Sequence, residues 1–203
     1  MREWVLLSMA VICIIFLPVQ VWAEENAQWN ELRKWKELND NIIPVLIVRD
    51  AKVSQQHVDM VEDAINSKQI KKSGRTLYLG WNEGIREISE SFGVKVPTLQ
   101  IQNKLEGPES ITIYLMDKSS NEGYNGYTDL FYDSHGNIQK AFVKIYNTDE
   151  LGDTELESIV RHELGHALGL GHTDAKNDLM QPVINMNHNA ISILDLLALV
   201  SIY

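Results

Sequence analysis

The sequence predicts one α+β domain: a mixed, twisted sheet, a helix that carries a polar constellation, and a last, buried helix. Three observations point there. Short β-branched and aromatic runs dominate the middle of the chain and read as strands. His162, Glu163 and His166 then sit at helical spacing in a segment with a helix-start signal. The final stretch, Ile191 to Ile202, is apolar on nearly all sides except Asp195, as in a helix enclosed by a core. A length of 203 residues fits one compact domain.

In chain order, residues 1–23 stand apart from this domain. Met1-Arg2 is followed by an apolar run from Val5 to Leu17, then Pro18, and Val21-Trp22-Ala23 offers small residues before Glu24-Glu25. That layout predicts a secretory signal peptide cleaved after Ala23, hence a secreted or extracytoplasmic protein with no stable membrane partner after cleavage. The alternative, an uncleaved anchor, is short of the roughly 20 residues a span needs. Residues 24–40 are polar, with Trp29, Leu32, Trp35 and Leu38 at every third position, and read as a short amphipathic helix or a short pro-segment. The domain itself is assigned to residues 41–203.

Within it, Pro44–Val48 reads as a buried strand, and Ser54 as the cap of a helix ending near Ser67. Lys68 to Arg75 reads as a surface excursion. A second helix spans Trp81 to Phe92 and stops at Gly93. Strands are expected at Thr98–Gln102, Ile111–Met116, Tyr127–Tyr132 and Ala141–Tyr146, the last two joined as a hairpin by the turn formers Asp133 to Asn137. Thr154 with Glu157 three residues on has the form of a capping box, opening a helix to about Leu168.

Composition excludes some functions. A net charge of −10 lacks the basic footprint that nucleic acid requires. Cys13 is the only cysteine and lies in the leader, so the expected mature chain holds no disulfide and no latency based on a thiolate.

The chemistry lies in His162-Glu163-Leu164-Gly165-His166. Residues four apart share a helix face, so both imidazoles can address one ion. Gly169 can take the left-handed conformation that reverses the chain and returns His172 as a third ligand. Three imidazoles leave the fourth position of a tetrahedral zinc open, the arrangement of a catalytic site. Glu163, one step round the helix, is then placed as general base toward a zinc-activated water.

HELGHALGLGH followed by Met180 resembles the metzincin signature, Met180 being the methionine of the Met-turn under the metal. Thr173, the run Leu179-Met180-Gln181-Pro182 and the closing segment around Asp195 resemble the matrixins in particular. The strong resemblance covers Glu155 to Tyr203. It implies a metzincin-like fold, with the C-terminal helix below the zinc site, and a zinc-dependent endopeptidase acting on protein or peptide substrates. It also implies that the family's aspartate supports the Met-turn, here Asp195, and that the strand at Tyr127–Tyr132 pairs with extended substrate; a plain hairpin is the other reading of that strand. Gly123 and Gly126 would suit such close approach. Leu194 replaces the aspartate that receives a freed N-terminus, so activation through that salt link is not implied. The histidines and aspartates of a second, structural zinc are not evident, so one catalytic zinc is expected in a minimal catalytic domain, with a monomer favoured. Asp129 and Asp133 are weak candidates for Ca2+. His57, His135 and His188 are expected at the surface. Two other functions fit the residues: a secreted zinc-dependent binding protein without turnover, and a processing peptidase held inactive by residues 24–40.

Overall fold

The structure, a computed structural model, describes residues 27–203 apart from Ser73; the expected signal peptide lies outside the described residues. Strand β1 (Ile42–Arg49) begins a five-stranded sheet, followed by helix α1 (Gln55–Asn66). A small hairpin, β2 (Ile70–Lys72) with β3 (Arg75–Leu77), leads to helix α2 (Trp81–Phe92). Then come β4 (Thr98–Ile101), β5 (Ser110–Leu115), β6 (Gly126–Tyr132) and β7 (Ile138–Ile145), and helices α3 (Asp153–Leu168) and α4 (Ile193–Ile202). The sheet order is β4-β1-β5-β7-β6; β6 alone runs antiparallel to its neighbour and forms one edge. The mixed α+β architecture expected from the sequence is present.

Local chemistry accounts for most elements. Pro44 fits inside β1 because pairing with β5 begins only at Val45, so the strand is paired on one side there. Ser54 caps α1, its hydroxyl accepting from His57 N, and Met60, Val61, Ala64 and Ile65 face the core. Gly93 ends α2 in the left-handed conformation. The amide side chain of Asn82 pairs with both backbone groups of Leu99, fixing α2 to β4.

The stretch Lys68 to Arg75 lies at the surface as expected and adds a short ladder in which Ile70 faces Leu77. Two expectations are corrected. The capping box at Thr154 does not form: α3 begins at Asp153 with Gly152 as its cap, and Glu157 instead bonds Arg161 at 3.0 Å. The capping box occurs on α4, where Ser192 accepts from Asp195 N and Asp195 accepts from Ser192 N.

The N-terminal segment is not helical either. Residues 27–38 run extended as a strap over the domain, since their backbone groups bond to other segments rather than to one another. Trp29, Leu32 and Trp35 make isolated bridges to Thr173, Leu170 and Ile138. Trp35 is buried; its indole N–H donates to Ala167 O at 2.9 Å and its backbone N–H to the Tyr203 hydroxyl. Truncating a buried tryptophan costs about 3–5 kcal/mol, a large share of the ~5–15 kcal/mol that holds a domain together. The strap thus packs into the domain core through Trp35.

Candidate metal centre and cleft

Helix α3 brings His162 and His166 onto one face, and Gly169 ends it at φ 109°, ψ 8°. The chain then returns along the strap, so that His172 meets the other two. The candidate ligand atoms of the three imidazoles all lie within 4.8 Å of one another. Ring centroids are 4.6 Å apart for His162 and His166, 4.7 Å for His166 and His172, and 5.4 Å for His162 and His172.

Each helical histidine is fixed by a backbone carbonyl. Nδ1 of His162 donates to Leu179 O at 2.7 Å, and Nδ1 of His166 to Leu170 O at 2.8 Å. A carbonyl only accepts, so these bonds place the proton on Nδ1 and leave the Nε2 lone pair for a metal. Burial pushes the His162 pKa down to about 3, with the neighbouring His166 adding to the effect, and that of His166 to about 4; His172 is lowered by burial as well. Neutral imidazoles are the form that binds zinc. The donor set thus fits a tetrahedral zinc with one open position.

Glu163 is buried beside this cluster, and burial raises its carboxyl to about 7, a shift the Thr128 hydroxyl opposes. Thr128 Oγ1 donates to Glu163 Oε2 at 2.7 Å, from the edge strand β6. Gly126 makes that approach feasible: a Cβ there would stand 2.7 Å from Glu163 Oε1 and 2.5 Å from Ile159. Gly123 has open space around it and serves a turn at φ 82°.

Under the site, Met180 is fully buried, and its thioether lies against the backbone of Gly165. Any side chain at 165 would collide with that sulfur. A glycine inside a helix costs about 1 kcal/mol relative to alanine, and this packing is the reason for it. Trp81 covers the same spot, its indole N–H donating to Arg161 O at 3.0 Å. Arg161 is buried but satisfied by Leu79 O, Asn189 O and the Glu157 carboxylate.

The turn at Met180 is held by two buried carboxyls. Asp178 accepts from Met180 N at 2.8 Å and, through its other oxygen, from the Ser192 hydroxyl at 2.7 Å. Asp195 accepts from Ser192 N and reaches Met180 only through this relay, so the support the resemblance assigns to Asp195 passes through Asp178. The second oxygen of Asp195 is buried without a hydrogen-bond partner. Burial and then the charge of Asp178 raise the Asp195 pKa well above the usual carboxylate range. An acid raised in the folded state stabilises below its unfolded pKa, and that contribution is lost as pH rises through the folded value. Asp195→Asn should therefore leave thermal stability less dependent on pH above the carboxylate range and raise Tm on the alkaline side. Identical Tm–pH slopes for both proteins would contradict this.

An open cleft of about 890 Å³ passes over the histidines and Glu163. One side is β6 with Tyr124 and Tyr127, another is the segment after the Met-turn with Val183 and Met186, and the strap contributes Asn30 and Arg33.

Residues 139–203 match the model of the matrixin peptidase family, M10. Over this last third the chain is matrixin-like, with the residue set of a zinc metalloendopeptidase. The matched range contains all three histidines, Glu163 and Met180, and encloses the resemblance read from Glu155 to Tyr203. No curated protein matches the sequence. Among solved structures, the metalloendopeptidase is similar to high choriolytic enzyme 1, a hatching-enzyme zinc protease of the medaka fish Oryzias latipes. The identity is 13%, the TM-score 0.43, and the similarity covers 82% of this chain and 92% of the other.

Of the remaining sequence candidates, Asp129 pairs with Lys144, and Asp133 accepts from His135 N and Asn137 N within its own turn. His135 and His188 are exposed, while His57 is half-buried. Sequence reasoning missed Thr128, Asp178 and the strap. Gly165 was open to discovery, since a mid-helix glycine signals close packing.

Proposed function

We propose that this metalloendopeptidase is secreted and hydrolyses peptide bonds with His162, His166 and His172 holding one zinc and Glu163 as general base. The observation that carries the reading is the Glu163 carboxyl, buried in the same cleft as the three neutral imidazoles and fixed by Thr128. Bound zinc would supply polarisation of the scissile carbonyl and a more acidic water. Glu163 takes a proton from the attacking water as its oxygen adds to the carbonyl carbon. It then delivers that proton to the amine as the C–N bond breaks. A base with a pKa near the working pH suits both transfers.

β6 supports an extended substrate. Its outer edge is unpaired in the sheet, and backbone pairing along a free edge binds peptides regardless of most side chains. Gly126 and Thr128 place that edge directly beside Glu163.

The test is digestion of a peptide library by the purified mature protein, with and without a zinc chelator. Cleavage that the chelator abolishes is expected; zinc-loaded protein that cuts nothing would favour the binding-protein reading. For export, N-terminal sequencing should find Glu24 first. No helix among the described residues is long and apolar enough to cross a membrane. A chain starting at Met1 in a membrane fraction would favour the anchor.

A further inference from the structure

The third histidine differs from the other two in how it is held. His162 and His166 ride on a helix, whereas His172 lies on an irregular return loop after Gly169. What gives that loop its shape is the strap. Asn30 N donates to His172 O at 2.9 Å, and Asn30 Oδ1 accepts from His172 N at 2.7 Å, so one residue engages both backbone groups of the ligand. On either side of this pair, Arg33 N donates to Gly169 O and Gly171 N to Glu31 O, both at 2.8 Å, while Asp174 N donates to Gln28 O. The far side of the loop is tied to the Met-turn through Thr173 N and Met180 O.

The glycines of the loop fit this contact. A Cβ on Gly171 would run into Asn30 Oδ1 and the backbone of Glu31, and one on Gly169 into the carbonyl of Arg33. Both positions are thus occupied by the strap itself, in addition to the left-handed turn that Gly169 supplies.

We propose that Asn30 is a positioning residue for the third zinc ligand, and that the N-terminal strap is a permanent wall of the metal site rather than a segment to be removed. The proposal rests on His172 being a ligand, as argued above. An isolated loop would sample many orientations of the imidazole. The Asn30 pair fixes φ and ψ on both sides of His172, so the ligand is preorganised before metal arrives. Outer partners of ligating groups typically contribute 10–100-fold to metal affinity.

The experiment is zinc affinity by competition with a chelator, together with Tm of the metal-free protein, for the full mature chain. Asn30→Ala should bind zinc at least about tenfold more weakly. Asn30 is exposed, so Tm without metal should move by only a few degrees at most, on the order expected for one surface bond in a domain of this size. Asn30→Asp, which keeps an acceptor for His172 N, should bind near the wild-type level. Gly171→Ala should weaken zinc as Asn30→Ala does, and the double variant should lose less than the sum, because both changes act on one contact. Wild-type zinc affinity in Asn30→Ala would overturn the proposal. So would Asn30→Asp as weak as Asn30→Ala, or a gain in hydrolytic rate on Asn30→Ala, which would mark residues 24–40 as a brake. Failure of wild type to bind zinc would instead sink the assignment of the three histidines.

Discussion

Glu163→Ala is expected to retain one zinc per chain while hydrolysis falls by about 10²–10⁴-fold, the range for loss of a positioned general base. The three imidazoles are oriented by carbonyls and by the strap, and none of those bonds involves the Glu163 side chain. Metal content and turnover should therefore separate. Glu163→Gln is the sharper variant, because the amide oxygen can still accept from Thr128 and little packing changes. It cannot take a proton, so it should be inactive with zinc bound. Glu163→Asp keeps the charge but withdraws it by one methylene, and should also lose activity with zinc retained. A further effect follows from burial. The carboxyl pKa is raised to about 7 in the folded chain, so its stabilising contribution is lost as pH rises from the ordinary range through about 7. Metal-free Glu163→Gln should accordingly be more stable than wild type above about pH 7. A Glu163→Gln protein that binds zinc and cleaves near the wild-type rate would falsify the general-base role.

His172→Ala is expected to abolish tight zinc binding and, with it, hydrolysis. Of the three histidines it gives the cleanest test. His162 is buried beside Leu179 and bonded to its carbonyl, so its removal disturbs packing; His172 is half-buried and, among the described residues, its side chain has no hydrogen-bond partner. Metal-free His172→Ala should melt close to wild type, while zinc affinity drops by more than the ~10–100-fold assigned to an outer partner. The wild type should carry one zinc after dialysis against a weak chelator. Two tightly held ions, or His172→Ala that keeps its zinc, would require ligands elsewhere in the chain.

How legible was all this in the amino-acid order? The cluster of candidate site residues was legible, because it depends on local geometry. A spacing of four on a helix fixes that His162 and His166 share a face, and Gly169 signals the reversal that lets His172 return. The helix at Trp81–Phe92, the strand segments and the hairpin of β6 and β7 were readable for the same reason: periodicity and turn chemistry act over a few residues. The expected capping box at Thr154 failed because Glu157 had a competing partner, Arg161, buried against Leu79 and Asn189 from distant parts of the chain.

By itself, then, the sequence singled out His162, Glu163, His166, His172 and Met180 as candidates and predicted the α+β frame, and the fold brings those residues together. Tertiary structure alone decided what holds those groups in place. Trp29, Leu32 and Trp35 repeat every three residues, which suits a helix as well as a strap. Backbone partners far away in the chain, at Ile138 and at residues 169–174, make the extended form the better one. The same holds for Thr128 on Glu163 and for Asp178 between Met180 and Ser192. Each is a single polar side chain whose partner is fixed by folding, and no local period or spacing encodes a hydrogen bond across such distances in sequence.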